Sequence, residues 1–148
     1  MDIIRITKEF KFEMAHALLN YDGPCRNIHG HSYYLYVTLS GQTIANDEDP
    51  HNGMVMDFTL LKKLIHDNIT NQLDHSLVLY DKTPAETLKG LSGFENIVLL
   101  PYQPTCENML IDFASRIKKI LPEHLKLHHL KLCETVTSSA EWFAEDND

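Results

Sequence analysis

Two stretches of this chain alternate apolar and polar side chains, and each carries histidine on its apolar side. In residues 4–16, Ile4, Ile6, Phe10, Phe12, Met14 and His16 share one parity, while Arg5, Thr7, Glu9, Lys11 and Glu13 share the other. In residues 29–40, His29, His31, Tyr33, Leu35, Val37 and Leu39 fall together. A period of two marks a strand with one buried face, so both stretches are expected as half-buried strands. Between them, Leu19 to Ile28 holds Asn20, Asp22-Gly23-Pro24 and Asn27, which favour turns. So short a connection predicts an antiparallel ribbon, with His16 facing His29 and His31.

Histidines two apart on a strand stand about 6.5 to 7 Å apart at Cα and project to one side, so their imidazoles can converge on one ion. His16 supplies a third ligand. Three neutral imidazoles leave the charge of the ion uncancelled and one position open, the pattern of catalytic zinc rather than of a closed structural site. Zinc is the expected ion, with iron or another imidazole-accepting metal as the alternative. A lone histidine on an apolar face would ordinarily be a hydrogen-bonded core residue; the convergence of three points to a metal. His51, His66, His124, His128 and His129 read as surface or capping residues, and the adjacent His128-His129 pair faces opposite ways on a strand.

Further along, Asp57 can cap a helix whose apolar stripe is Phe58, Leu61, Leu64, Ile65 and Ile69, ending near Gln72. Asp74-His75 follow, then a short apolar run, Leu77 to Tyr80. Residues 81–103 read as a long excursion with a short strand at Ile97 to Leu100. Pro104-Thr105 offers a turn and cap for a second helix with the stripe Met109, Leu110, Phe113, Ile117, Ile120 and Leu121, stopped by Pro122. Strand-like runs from Leu127 to Val136 and Ser139 to Ala144 finish the chain, and the tail from Glu145 to Asp148 is expected to fray. The order is ββααββ. A length of 148 residues with 43% hydrophobic content suits one packed domain over 1–148.

A net charge of −8 argues against a broad basic face, so neither nucleic acid nor an anionic membrane is an expected partner. Residues 1–15 lack a secretory signal, and no apolar run approaches the eighteen residues of a membrane span, which suits a cytoplasmic protein. Cys25, Cys106 and Cys133 are widely spaced without a CxxC pair and read as free thiols.

Cys25 sits in the turn-rich loop four residues before His29, where a nearby cation would favour thiolate and make it a candidate proton acceptor. The other readings are a small loop residue or a fourth metal ligand. Asp74-His75 has the composition of a proton relay, or of a charge pair at a helix exit. Glu134 shares parity with Leu130, Leu132 and Val136, and a carboxylate on an apolar face demands donors. The paired N–H edge of a pterin or guanine ring would satisfy it, as would Arg or Lys. Glu107, at the start of the second helix, reads first as favourable to the helix dipole.

FEMAH at 12–16, CRNIHGH at 25–31, LDHSLVL at 73–79, PTCEN at 104–108 and CET at 133–135 together resemble the 6-pyruvoyl-tetrahydropterin synthase and 6-carboxytetrahydropterin synthase family. The matches run in order through almost the whole chain. The resemblance implies an α+β tunnelling fold: a ββααββ subunit with a four-stranded antiparallel sheet and both helices on one side. It also implies trimers joined as barrels, stacked as hexamers, with active sites between subunits. Carried over by residue, it makes His16, His29 and His31 the zinc ligands, Cys25 the catalytic base, and Asp74 and His75 the relay. Glu134 becomes the pterin anchor, with Thr105 and Glu107 at the ring pocket.

The implied substrate is 7,8-dihydroneopterin triphosphate, and Lys11 or Arg26 are candidate cations for its phosphates. The spacing Cys-x3-His-x-His is similar to that of bacterial 6-carboxytetrahydropterin synthases, which cleave the side chain, release acetaldehyde and feed queuosine and 7-deazaguanine synthesis. The pyruvoyl-forming animal enzymes have a longer gap, and their activity is the alternative. A non-catalytic zinc- or pterin-binding relative is the reading from another class. Met14, Ser76 and the length of residues 80–100 depart from the pattern.

Overall fold

The computed structural model describes residues 1–148. The two alternating stretches form β1 (Ile4–His16) and β2 (His29–Gly41), paired antiparallel over their whole length, with Phe12 opposite Tyr33, Met14 opposite His31 and His16 opposite His29. From Phe10 to His16 and from Tyr33 to Leu39 the apolar faces are buried, while Ile4 is exposed, Ile6, His29 and His31 are half-buried, and Thr38 is buried on the opposite face. A single 3-10 turn, Pro24–Arg26, interrupts the loop between them.

The first helix begins where expected. Asp57 accepts from the Thr59 amide (2.7 Å), and α1 (Phe58–Ile65) runs on through a π-helical turn, His66–Thr70, into α2 (Asn71–Leu73). Leu61, Ile65, Ile69 and Leu73 are buried. Steps of four residues drift about 40° each around an α-helix, and the wider π turn takes up that drift, keeping the row inside. Phe58, expected in the stripe, is instead exposed at the first turn.

The sheet corrects the expected four antiparallel strands to six in mixed sense, ordered β4-β3-β1-β2-β5-β6. The apolar run after His75 is β3 (Ser76–Tyr80), which pairs parallel with the end of β1, and β4 (Ile97–Leu100) adds parallel to β3. The outer edge of β1 would otherwise leave backbone groups unpaired at Met14–His16, and β3 satisfies them. Within the excursion, α3 (Ala85–Gly90) is a short helix.

Thr105 caps α4 (Cys106–Ile120) by accepting from the Asn108 amide (3.2 Å). On the far side, β5 (Lys126–Cys133) pairs with β2, with a register shift between Thr38 and Leu39, and β6 (Ser139–Phe143) pairs with β5. The tail departs from the expected fraying: α5 (Ala144–Asn147) forms one turn, with Lys118 reaching Asp148. One cluster of 24 buried residues joins the apolar faces of β1, β2 and β5 to the inner faces of α1 and α4. No helix is long and apolar enough to cross a membrane. This packing places the end of β1, the start of β2 and the N-terminus of α4 together.

Candidate metal centre

His16, His29 and His31 each direct a ring nitrogen to one point, all three within 4.8 Å of one another. Two of the rings have their tautomer set by backbone carbonyls. His16 Nδ1 donates to Pro104 O and His29 Nδ1 to Asn27 O, both at 2.7 Å, and a carbonyl can only accept. In the neutral rings both Nε2 atoms therefore present lone pairs, yet they stand 3.1 Å apart. Two lone pairs that close repel unless a cation lies between them. Ligand nitrogens about 2.0–2.1 Å from a tetrahedral zinc stand only a little over 3 Å apart, so the donor set fits such an ion. Burial lowers the pKa of His16 and of His31, against the opposing pull of Glu134, and so favours the neutral form that a metal requires.

Glu134 stands beside this cluster, but not as the sequence pattern places it. β5 ends at Cys133, and the Glu134 and Thr135 amides both bond to Ser138 O, closing a turn in which Val136 is fully exposed. From that turn Glu134 Oε1 lies 3.6 Å from His16 Nε2 and 3.8 Å from His31 Nε2. It accepts from the hydroxyl of Tyr33 (3.2 Å). Tyr33 is completely buried, stacked on Phe12, and edge-on to His16 and His31. Burial beside the carboxylate pushes its phenol pKa up, so the hydroxyl stays a donor. Sequence reasoning counted Tyr33 as core only. Its signal was a tyrosine on the apolar face two residues after His31, whose hydroxyl needs a partner.

Cys25 is half-buried in the 3-10 turn and lies outside the group of converging ligand atoms, which leaves that group with three members. Its carbonyl accepts from the Leu18 amide (3.0 Å). Arg26 is exposed in the same turn. Lys11 pairs with Glu13 (3.4 Å) on the polar face of the sheet, opposite in parity to the histidines. Thr105 serves as the α4 cap, and Glu107 is exposed in the first turn of that helix, which the Pro104–His16 bond ties to the cluster. Burial raises the thiol of Cys106, between them, to about 12, and it donates to Leu132 O.

Asp74 and His75 form a pair of their own, His75 Nδ1 to Asp74 Oδ2 at 3.0 Å. Both are clamped to one residue of β1: Asp74 Oδ1 accepts from the Glu13 amide (2.8 Å), and the His75 amide donates to Glu13 O (2.6 Å). His75 adopts a left-handed backbone (φ 59°), at a cost of about 1–2 kcal/mol for a residue with a Cβ. Its side chain is largely exposed and shares with His31 the lining of a cavity of about 650 Å³, which Leu91 and Phe94 also wall. The Glu13 amide, then His75, holds the Asp74 carboxyl below its usual range. A depressed carboxylate contributes stability above its unfolded pKa and loses it as pH falls through the folded one. Asp74→Asn is expected to flatten the fall in Tm between about pH 4 and pH 2, measured by thermal unfolding across that range.

A mixed α+β sheet bearing three convergent imidazoles, a carboxylate at their side and an open approach defines a candidate metal-dependent enzyme. A family model described as 6-pyruvoyl tetrahydropterin synthase matches residues 5–145. The chain is 34% identical to a 6-carboxy-5,6,7,8-tetrahydropterin synthase of Haemophilus influenzae over 95% of this chain and 99% of that one. It is 31% identical to one of Rickettsia bellii, covering 90% and 95%. A Caenorhabditis elegans 6-pyruvoyl tetrahydropterin synthase has a similar structure, with TM-score 0.68 and 25% identity over 97% of both chains. The chain belongs to the 6-pyruvoyl tetrahydropterin synthase family of pterin-processing enzymes.

Proposed function

We propose that this chain converts 7,8-dihydroneopterin triphosphate and one water to 6-carboxy-5,6,7,8-tetrahydropterin, with release of acetaldehyde and triphosphate, as a step toward queuosine and other 7-deazaguanines. The observation that carries the reading is the three-histidine cluster with Glu134 beside it. The carboxy-forming relatives and the four-residue step from Cys25 to His29 support the choice of product. His16, His29 and His31 would hold one zinc ion, whose Lewis acidity toward the substrate's side-chain hydroxyls stabilises negative charge as it develops.

The other parts belong to the chain. Glu134, steadied by the Tyr33 hydroxyl, takes the paired N–H edge of the pterin, with Thr105 and Glu107 at the rim of the ring pocket. Cys25 takes or returns the side-chain proton, and Asp74-His75 handle a second transfer. In a single chain the Asp74-His75 pair is clamped to Glu13, outside the group of converging ligand atoms, with His75 lining the same cavity as His31. The proposed assembly is a cytoplasmic trimer or hexamer with sites between subunits.

Mass spectrometry of the pterin formed by zinc-loaded protein, with an assay for acetaldehyde, tests the reading. The expected product is the carboxypterin with stoichiometric aldehyde; a pyruvoyl product without aldehyde contradicts it. Tyr33→Phe is expected to raise KM for the pterin roughly tenfold with little change in metal content, since a hydrogen bond to a charged group contributes about 1.5–3 kcal/mol. Steady-state kinetics with metal analysis checks this.

A further inference from the structure

Gln103 joins the metal pocket to the loop that bears Cys25. Its carboxamide makes two bonds to the backbone of one residue: Nε2 donates to Leu19 O (2.8 Å) and Oε1 accepts from the Leu19 amide (3.0 Å). A neighbouring strand would satisfy Leu19 in the same way; here a side chain 84 positions away does so. The adjacent Leu18 amide donates to Cys25 O (3.0 Å), closing the loop onto the same anchor. The bonds Arg26 to Gly23 and Asn27 to Pro24 are internal to the loop; its far end is held by His29 Nδ1, which donates to Asn27 O (2.7 Å), and its near end by Gln103.

Gln103 is itself held. Its carbonyl accepts from the Thr105 amide (2.8 Å) and from Asn108 Nδ2 (3.1 Å). The next carbonyl, that of Pro104, accepts from His16 Nδ1. Residues 103–105 therefore grip a metal ligand, the Cys25 loop and the cap of α4 at once.

We propose that Gln103 is a positioning residue, whose bidentate hold on Leu19 fixes Cys25 relative to the three-histidine cluster. This rests on the reading of Cys25 as the proton-transferring group. A thiol that must meet a substrate atom at hydrogen-bond distance is sensitive to displacement of about 1 Å, which costs roughly a hundredfold in rate.

Gln103→Met keeps the length of the side chain and removes both bonds. In the zinc-loaded full-length protein, the variant is expected to retain one metal per chain and a KM within about twofold, while kcat falls roughly ten- to hundredfold. Amide hydrogen exchange should rise in residues 18–26 and stay unchanged in β2 and β5. Unchanged loop exchange, or unchanged kcat, overturns the proposal. So does a general loss of protection in β2 and β5, which would make Gln103 a residue of global stability. Cys25→Ala run beside it separates the two readings. Normal kcat in Gln103→Met with kcat lost in Cys25→Ala overturns the role of Gln103 alone, whereas normal kcat in Cys25→Ala removes the reading of Cys25 on which it rests.

Discussion

His16→Ala will weaken zinc binding by more than about a hundredfold, because losing merely an outer partner of a metal-bound histidine already costs 10- to 100-fold. His16 is the most buried of the three candidate ligands and contributes the Nε2 that stands 3.1 Å from that of His29. The two remaining imidazoles belong to one strand and make a bidentate site. Chelator competition measures the loss directly. The thermal signature is separate: at a thousandfold excess over Kd, a ligand of the native state stabilises by about 4 kcal/mol, so zinc will raise the Tm of the parent protein and leave that of the variant nearly unmoved. The variant also strands the buried Pro104 carbonyl, which loses the His16 donor, at about 1–3 kcal/mol. That second effect appears in metal-free protein and distinguishes the scaffold role of His16 from its ligand role.

Cys25→Ala will have the opposite profile, retaining zinc and losing turnover. The ligand cluster closes without this thiol, so chelator competition should give an affinity close to that of the parent. A positioned acid or base contributes typically 10²–10⁴-fold, and kcat is expected to fall within that range. Zinc lost together with turnover would make Cys25 a fourth ligand and the site a closed one.

The central ribbon was legible because a period of two over thirteen residues leaves little choice of face, and a short connection leaves little choice of partner. Placing His16 opposite His29 followed from those two facts alone. Of the outer strands, Ile97–Leu100 was expected as a strand and Leu77 to Tyr80 as an apolar run, but their pairing was not legible in that way. Ser76–Tyr80 and Ile97–Leu100 are five and four residues long, too short for a period to show, and their parallel pairing is set by which edge of β1 needs partners. Glu134 shows parity carried too far: Val136 continues the apolar alternation on paper, but β5 has already ended at Cys133 and Val136 lies in the turn that Ser138 closes. The carboxylate still arrives at the histidines, from a turn rather than from a strand. The side chains of Tyr33 and Gln103 bond to distant residues, Tyr33 once to Glu134 and Gln103 twice to Leu19, and no local pattern names such partners.

The pairing of the histidines with chemistry is tested most directly by adding zinc stepwise to metal-free protein while following triphosphate release from 7,8-dihydroneopterin triphosphate. Release should rise linearly and level off at one zinc per chain, and it should stay at background throughout in His16→Ala. Full release by the metal-free protein, or a zinc response that survives in His16→Ala, would contradict the account.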